Sequence, residues 1–369
     1  MKYGFFIFAF LMFFGMLAYV LFRGWQALPA SNRTLFLQIF SALFAFLMTG
    51  MLFEHVLPQV LAKNITFIGY SFLIAAVYLF ISFLFVDIIR LSNFFLHFAP
   101  VGMQQFRLWA MGGSLAIIAI SMFAGNYHFN HPKIVKLNLS VHNPKMNKEL
   151  KIVAASDIHL GNSIDIKMLR KYVKLINDQK PDVVLLLGDI TDRSASPLTE
   201  QNMKSVLEDI QAPLGVYAIR GNHEYYSGKP DEIAGYLKSS GIHVLIDSAC
   251  LVNNSFYIVG RDDRTNVNRK SLDKITEGLD PNIPKILLDH QPYNLEMAEQ
   301  NGMDLQLSGH THNGQFFPGN LLTGMMFEKG HGYLKKGKTH YYISSGLGIW
   351  GPQYRIGTRS ELVEIVLKY

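Results

Sequence analysis

Five short segments decide the reading of this chain: Asp157-Ile158-His159, Gly188-Asp189-Ile190-Thr191-Asp192, Gly221-Asn222-His223-Glu224, Asp289-His290 and Gly309-His310-Thr311-His312. Each follows an apolar run, at Lys151 to Ala155, Val183 to Leu187, Gly215 to Ile219, Ile286 to Leu288 and Leu305 to Leu307. Such runs read as strands, and open α/β sheets put their sites beyond the carboxyl ends of strands. Ligands far apart in sequence are thereby gathered at one sheet edge. They are carboxylate, imidazole and amide without thiolate, a set suited to hard or borderline divalent ions such as Mn, Fe or Zn. Glycine precedes a block three times, at Gly188, Gly221 and Gly309, where a missing Cβ lets the backbone turn sharply and approach an ion closely.

Around these blocks strands and helices alternate. Ile134 to Leu139 alternates apolar and polar residues, and Asn143-Pro144-Lys145 reads as a turn. Ile166, Leu169, Val173 and Ile176 recur at helical spacing within Ile164 to Ile176. Val183 to Leu187 is continuously apolar, as a strand covered on both faces requires. Ile242 to Ile246, Tyr257 to Gly260, Tyr341 to Ser345 and Glu361 to Leu367 read as further strands. The single cysteine, Cys250, excludes an internal disulfide and reads as a packing residue. The cluster Arg261-Asp262-Asp263-Arg264 reads as a solvated turn, with a phosphate contact through an arginine fork as the alternative. Phe316 to Phe327 reads as ordinary packing, against an apolar groove or a surface resting on a membrane.

The order Asp-x-His, Gly-Asp-x-x-Asp, Gly-Asn-His-Glu, His, Gly-His-x-His resembles the calcineurin-like metallophosphoesterases over residues 150–369. Gly309-His310-Thr311-His312-Asn313-Gly314-Gln315 and Ser345-Gly346-Leu347-Gly348 look like the membrane-associated bacterial branch of that family. The resemblance implies an α/β fold, a four-layer α-β-β-α sandwich of two mixed sheets. It implies two divalent metal ions, the first held by Asp157, His159 and His312 and the second by Asn222, His290 and His310, with Asp189 bridging. A carboxylate with two oxygens is the natural bridge between cations about 3.5–4 Å apart. Asn222 contributes a neutral oxygen, which limits negative charge where an anionic phosphate must approach. The resemblance makes His223 a catalytic residue facing the substrate, where its near-neutral pKa suits protonation of a leaving oxygen. Asp192 would orient that histidine or a ligand. The activity implied is metal-dependent phosphoric ester hydrolysis. A phosphodiesterase is favoured over a monoesterase or pyrophosphatase, acting on a membrane-proximal or lipid-linked phosphoester. The rival readings are a non-catalytic metal-binding protein and a sensing or transport protein whose membrane bundle is the active part.

The first 130 residues lie outside that resemblance, and we read residues 131–369 as the phosphoesterase domain. Four runs lack any charged side chain: Tyr3 to Phe22, Thr34 to Phe53, Ile65 to Val86 and Leu108 to Asn126. Each approaches the roughly 20 residues that cross a hydrocarbon core as a helix, so an all-α bundle of four transmembrane helices is expected. Gly112, Gly113 and Ser114 are candidates for close helix contact. The first run, too long for a signal h-region and without a clean cleavage site, reads as a retained helix. No charge within the runs marks a transport pathway. Arg23 and Arg33 flank the first connection and Arg90 and Arg107 the third, which favours a cytoplasmic position for both and an extracytoplasmic catalytic domain. His128 and His131, in the linker Tyr127 to Pro132, read as interfacial residues rather than ligands. The formal net charge of +6 is not gathered into basic runs. No nucleic acid partner is expected, and membrane lipid is.

Overall fold

The computed structural model describes residues 2–54, 56–97, 103–141 and 148–369. The expected turn at Asn143-Pro144-Lys145 falls outside them. Two compact units are present, one mainly helical that runs to Ala124 and takes in Gly351–Gln353, the other α/β and formed by Gly125–Trp350 with Tyr354–Tyr369.

The helical unit contains α1 (Lys2–Ala27), α2 (Ala30–Phe53), α3 (Gln59–Leu96) and α4, which starts at Met103 and runs to Asn130 in the second unit. All four are long and apolar enough to cross a membrane. They extend past the charge-free runs because helix formation does not stop where hydrocarbon ends. The 38 residues of α3, at 1.5 Å each, span about 57 Å, so Lys63, Asp87 and Arg90 all lie on one helix. Leu17, Leu47, Phe72 and Ala76 are buried between helices. Phe8, Phe94 and Phe123 point outward, as a lipid-facing surface requires. The close approach of helices falls at Gly69, whose missing Cβ would lie 2.6 Å from the Leu47 Cα, whereas a Cβ at Gly112 or Gly113 would meet nothing.

Among the described residues the α/β unit has twelve strands. One sheet contains β1 (Lys133–Ser140), β2 (Glu149–Ala155), β3 (Val183–Leu186), β4 (Val216–Ala218), β5 (His243–Val244) and β12 (Glu361–Lys368), in the order β1-β12-β2-β3-β4-β5. The other contains β6 (Ser248–Val252), β7 (Phe256–Gly260), β8 (Lys285–Leu288), β9 (Leu305–Ser308), β10 (Gly332–Lys336) and β11 (Thr339–Ile343), in the order β10-β11-β9-β8-β7-β6. Both are mixed: β2, β3, β4 and β5 run parallel, as do β7, β8, β9 and β11, while β12–β2, β6–β7 and β10–β11 pair antiparallel.

Alternation along β3 shows why the layers form. Val183 and Leu185 turn inward, to a core shared with Ile258, Ile286, Leu288 and Leu307 of the second sheet. Val184 and Leu186 turn outward, to Leu169, Val173 and Ile176 of helix α5 (Ile166–Asp178). Asp165 caps α5 by accepting from the Lys167 and Met168 amides at 3.1 Å. On the far side, Val259, Leu287 and Tyr341 pack with Leu272 and Leu295. The result is the four-layer α-β-β-α sandwich.

Two local expectations are corrected. Asp262 and Asp263 are each 1% exposed, so the charged cluster after β7 is not a solvated turn. The stretch after the last ligand block forms the helix Gly319–Met326, none of whose residues is buried. Leu321, Leu322, Met325 and Met326 are 55%, 59%, 83% and 68% exposed, so it is not ordinary packing. Cys250 is half-buried in β6.

Candidate metal centre

Asp157 and His159 follow β2, Asp189 and Asp192 follow β3, Asn222 and His223 open a short helix after β4, His290 follows β8, and His310 and His312 follow β9. Asp157, His159, Asp189, His310 and His312 all have left-handed backbone, at φ of 54°, 54°, 49°, 71° and 50°. Non-glycine residues seldom sit there, and when they do the surroundings hold them and the site is commonly functional. Two glycines let the loops close in. A Cβ at Gly221 would strike the Asp189 carboxylate, and one at Gly309 would strike Ser156 and Asp157.

Two groups of candidate ligand atoms result, and Asp189 touches both. In the first, His159 Nε2 lies 3.1 Å from His312 Nε2, and His312 Nε2 lies 3.3 Å from Asp157 Oδ1. In the second, Asp189 Oδ2 lies 3.2 Å from His290 Nε2, and His310 Nδ1 lies 2.8 Å from Asn222 Oδ1. The same Asp189 Oδ2 is 3.9 Å from His159 Nε2. Asp189 Oδ1 is occupied by the His223 amide, which donates to it at 2.8 Å.

The donor set fits divalent cations. His290 Nδ1 donates to the Leu187 carbonyl at 2.7 Å. That hydrogen bond turns Nε2 toward the Asp189 carboxylate, 3.2 Å away, as the atom that would take an ion in place of its proton. Burial, helped by the neighbouring His312 and His223, depresses His159 to about 3. Burial and His290 depress His310 to about 4. Both rings are therefore neutral and able to ligate. Burial would raise the Asp157 and Asp189 carboxyls, but His312 in one case and His290 in the other hold them below the ordinary range. Burial would likewise lower His290, yet Asp189 and Asp157 raise it well above normal. The two carboxylates thus demand positive charge at the place where the imidazole nitrogens converge. The clusters Asp157–His159–His312 and Asp189–His290–His310 each have the spacing to hold an ion.

His223 stands beside the ligands. Its Nδ1 donates to the Asp192 carbonyl at 2.7 Å, with the Asp192 carboxylate 3.2 Å away, so Nε2 is left for another partner. Burial lowers its pKa, but the hydrogen bond it donates to the Asp192 carboxylate and the charge of Asp189 raise it in sum, and Asp192 is correspondingly lowered. The ring is flanked by the half-exposed Tyr226 and Trp350, centroids 5.2 and 6.4 Å away.

Several supporting residues were not assigned from sequence. Glu224, 1% exposed, accepts from the amides of Asp189, Thr191 and Gly221 at 3.0, 2.9 and 2.7 Å and ties the Asp189 loop to the Asn222 loop. Asp289 receives Arg261 at 3.0 Å and Arg269 at 3.3 Å, so the arginine expected in a turn or on phosphate steadies the His290 strand end. Arg355, fully buried, donates to the carbonyls of His312 at 2.8 Å and Gly348 at 2.6 Å. The late glycine segment braces the first block, with the Leu347 amide on Ser156 O at 2.8 Å and that of Gly348 on Asp157 O at 3.0 Å. Glu224 and Asp289 adjoin ligands in the quoted blocks, a usable signal; Arg355 has none. His128 and His131 lie outside both clusters.

Strand-end carboxylates and imidazoles on a two-sheet sandwich define the metallophosphoesterase class. The family model for calcineurin-like phosphoesterases matches residues 150–314. An uncharacterized metallophosphoesterase of Campylobacter jejuni is 34% identical over 263 residues, covering 69% of this chain and 69% of that protein. A transmembrane protein with metallophosphoesterase domain from Danio rerio is 34% identical over 253 residues, 64% of this chain and 57% of that one. An uncharacterized metallophosphoesterase of Helicobacter pylori strain J99 is 32% identical over 229 residues, 60% of this chain and 61% of that one. The chain belongs to the calcineurin-like phosphoesterase family, in which divalent metals are bound and phosphoric esters hydrolysed. Its apolar helices and its transmembrane relatives make it a membrane protein.

Proposed function

We propose that the protein is a membrane-anchored phosphodiesterase with a dinuclear centre, acting on a membrane-proximal or lipid-linked phosphoester. One observation carries the dinuclear reading: a single Asp189 carboxylate reaches a ligand imidazole of each group. Asp157, His159 and His312 would hold one ion and Asn222, His290 and His310 the other. When bound, such a pair supplies Lewis acidity, an activated water and charge neutralisation at phosphorus. The residues of the chain do the rest. His223, whose protonated form the Asp192 carboxylate favours, gives its Nε2 proton to the leaving oxygen. Asp192 positions it and stabilises its charge. Glu224, Asp289 and Arg355 hold the loops in register, which matters because small displacements of catalytic groups cost large factors in rate.

The lipid-linked reading draws on the helix Gly319–Met326, which starts seven residues after His312 and bears an exposed apolar face. From Phe316 to Phe327 no side chain is charged. Phe327 closes the helix, its ring 6.2 Å from that of His310. A substrate carrying hydrocarbon would meet apolar surface beside the site. The arginines of the first and third connections favour an extracytoplasmic catalytic unit. The test is hydrolysis of a bis-aryl phosphate beside the matching monoester, by the full chain with added Mn²⁺. Turnover of the diester alone supports the proposal, and turnover of the monoester alone rejects the diesterase assignment.

A further inference from the structure

The first 130 residues contain two acidic side chains, Glu54 and Asp87, and Asp87 stands among three arginines. Arg23 Nη2 pairs with Asp87 Oδ2 at 2.5 Å and Arg90 Nη1 with Oδ1 at 2.8 Å, while Tyr19 OH donates to Oδ2 at 2.6 Å. These occupy the carboxylate. Arg107, on α4, joins Arg23, Asp87 and Arg90 in lining one cavity that opens to the surface. Among the described residues it has no carboxylate partner. The Nε atoms of Arg23, Arg90 and Arg107 are buried without a hydrogen-bond partner. The segment Phe98 to Gly102, which joins α3 to α4 in sequence, carries no charged side chain. Three guanidinium groups against one carboxylate leave two positive charges in excess.

Like charges converging in a half-buried cavity repel, and near hydrocarbon the repulsion is poorly screened. An arginine on its own can settle on neighbouring groups without a second cation beside it, as Arg33 does over the Trp25 ring at 4.0 Å and on the Leu28 carbonyl at 3.1 Å. Here instead the helix ends are tied together around the cavity, with Gln104 Nε2 donating to the Ala27 carbonyl at 3.0 Å. Guanidinium forks match phosphate oxygens in pairs, and basic pockets between helix ends are suited to phosphate-bearing lipid head groups. We propose that the cavity lined by Arg23, Arg90 and Arg107 binds a phosphate group, with Arg107 as the free fork and Asp87 holding the other two in place. The phosphate comes from an anionic lipid head group or from inorganic phosphate. This site lies in the helical unit and does not depend on the reaction assigned to the metal centre.

The test uses the full chain in mild detergent, stripped of lipid and titrated with phosphatidylglycerol, phosphatidylcholine or inorganic phosphate. Bound lipid is counted by native mass spectrometry, and melting temperature is followed in parallel. Phosphatidylglycerol is expected to bind roughly tenfold tighter than phosphatidylcholine, with most of that preference lost in Arg107→Gln, partly kept in Arg107→Lys and untouched in Arg33→Gln. Inorganic phosphate that raises the melting temperature through Arg107, with no preference between the lipids, identifies the free ion as ligand. Equal binding of both lipids together with no phosphate effect overturns the proposal. So does an Arg107→Gln protein that melts normally in phosphatidylcholine and keeps the preference.

Discussion

Replacing Asp192 by Asn isolates the support given to His223. The imidazole Nδ1 has two acceptors on the same residue, the carbonyl at 2.7 Å and the carboxylate at 3.2 Å. The substitution spares the first and removes the charge of the second. Hydrogen bonds to charged groups contribute about 1.5–3 kcal/mol, and the longer of two shared acceptors falls at the low end. A loss of about 1–2 kcal/mol lowers kcat by roughly 5- to 30-fold, against about 10²–10⁴-fold for losing a general acid outright. The pH profile carries the sharper signature. In the folded protein Asp192 and Asp189 outweigh burial and raise His223 above its ordinary value. The acid form therefore persists to higher pH, and activity that needs it falls as pH rises through the raised pKa. Removing the carboxylate lowers that pKa, so the basic limb of kcat must move to lower pH, while the acidic limb and the metal content stay in place. The assay is a kcat–pH profile with an alkyl ester, whose poor leaving group needs the proton. A basic limb that does not move, or moves to higher pH, refutes the assignment of His223 as acid and of Asp192 as its positioning residue.

Other outcomes follow from the same geometry. Glu224→Gln should lower the melting temperature of the α/β unit and loosen metal binding, because one amide oxygen cannot serve three backbone donors. The expected cost is about 2–3 kcal/mol by thermal or denaturant unfolding. Leu321→Glu combined with Met325→Glu should leave hydrolysis of a soluble diester unchanged and cut turnover of a vesicle-borne phosphoester about tenfold or more, read by comparing kcat/KM on the two substrates. Arg355→Met should weaken retention of metal in dialysis against chelator while the bundle melts as before, since the carbonyls of His312 and Gly348 lose their donor.

The catalytic half of the fold was legible because strand runs and ligand blocks coincide. Val183 to Leu187 reads as a doubly covered strand and is one, up to Leu186, and the Asp189 that ends it stands between both ligand groups. Helical spacing located α5 to within two residues at each end. What stayed hidden depends on partners distant in sequence. Asp262 looks solvated beside two arginines, but Tyr225 donates to its carboxylate at 2.5 Å and Asn266 at 2.9 Å, and it is buried. Arg355 sits in a polar late segment with no pattern to mark it, and only folding brings it beneath His312. The exposure of Leu321, Leu322, Met325 and Met326 was hidden for the opposite reason. An apolar run normally reports burial, and this one reports an unpaired face.

The most direct test is metal content and diester turnover measured together on the full chain and on Asp189→Asn. Two ions per chain and Mn²⁺-dependent hydrolysis are expected in the parent protein. In the variant, loss of at least one ion should accompany a fall in kcat of about a thousandfold or more, since the charge-bearing bridge serves both ligand groups. A folded variant that keeps both ions and near-normal turnover would contradict the bridging role of Asp189 and the dinuclear account built on it.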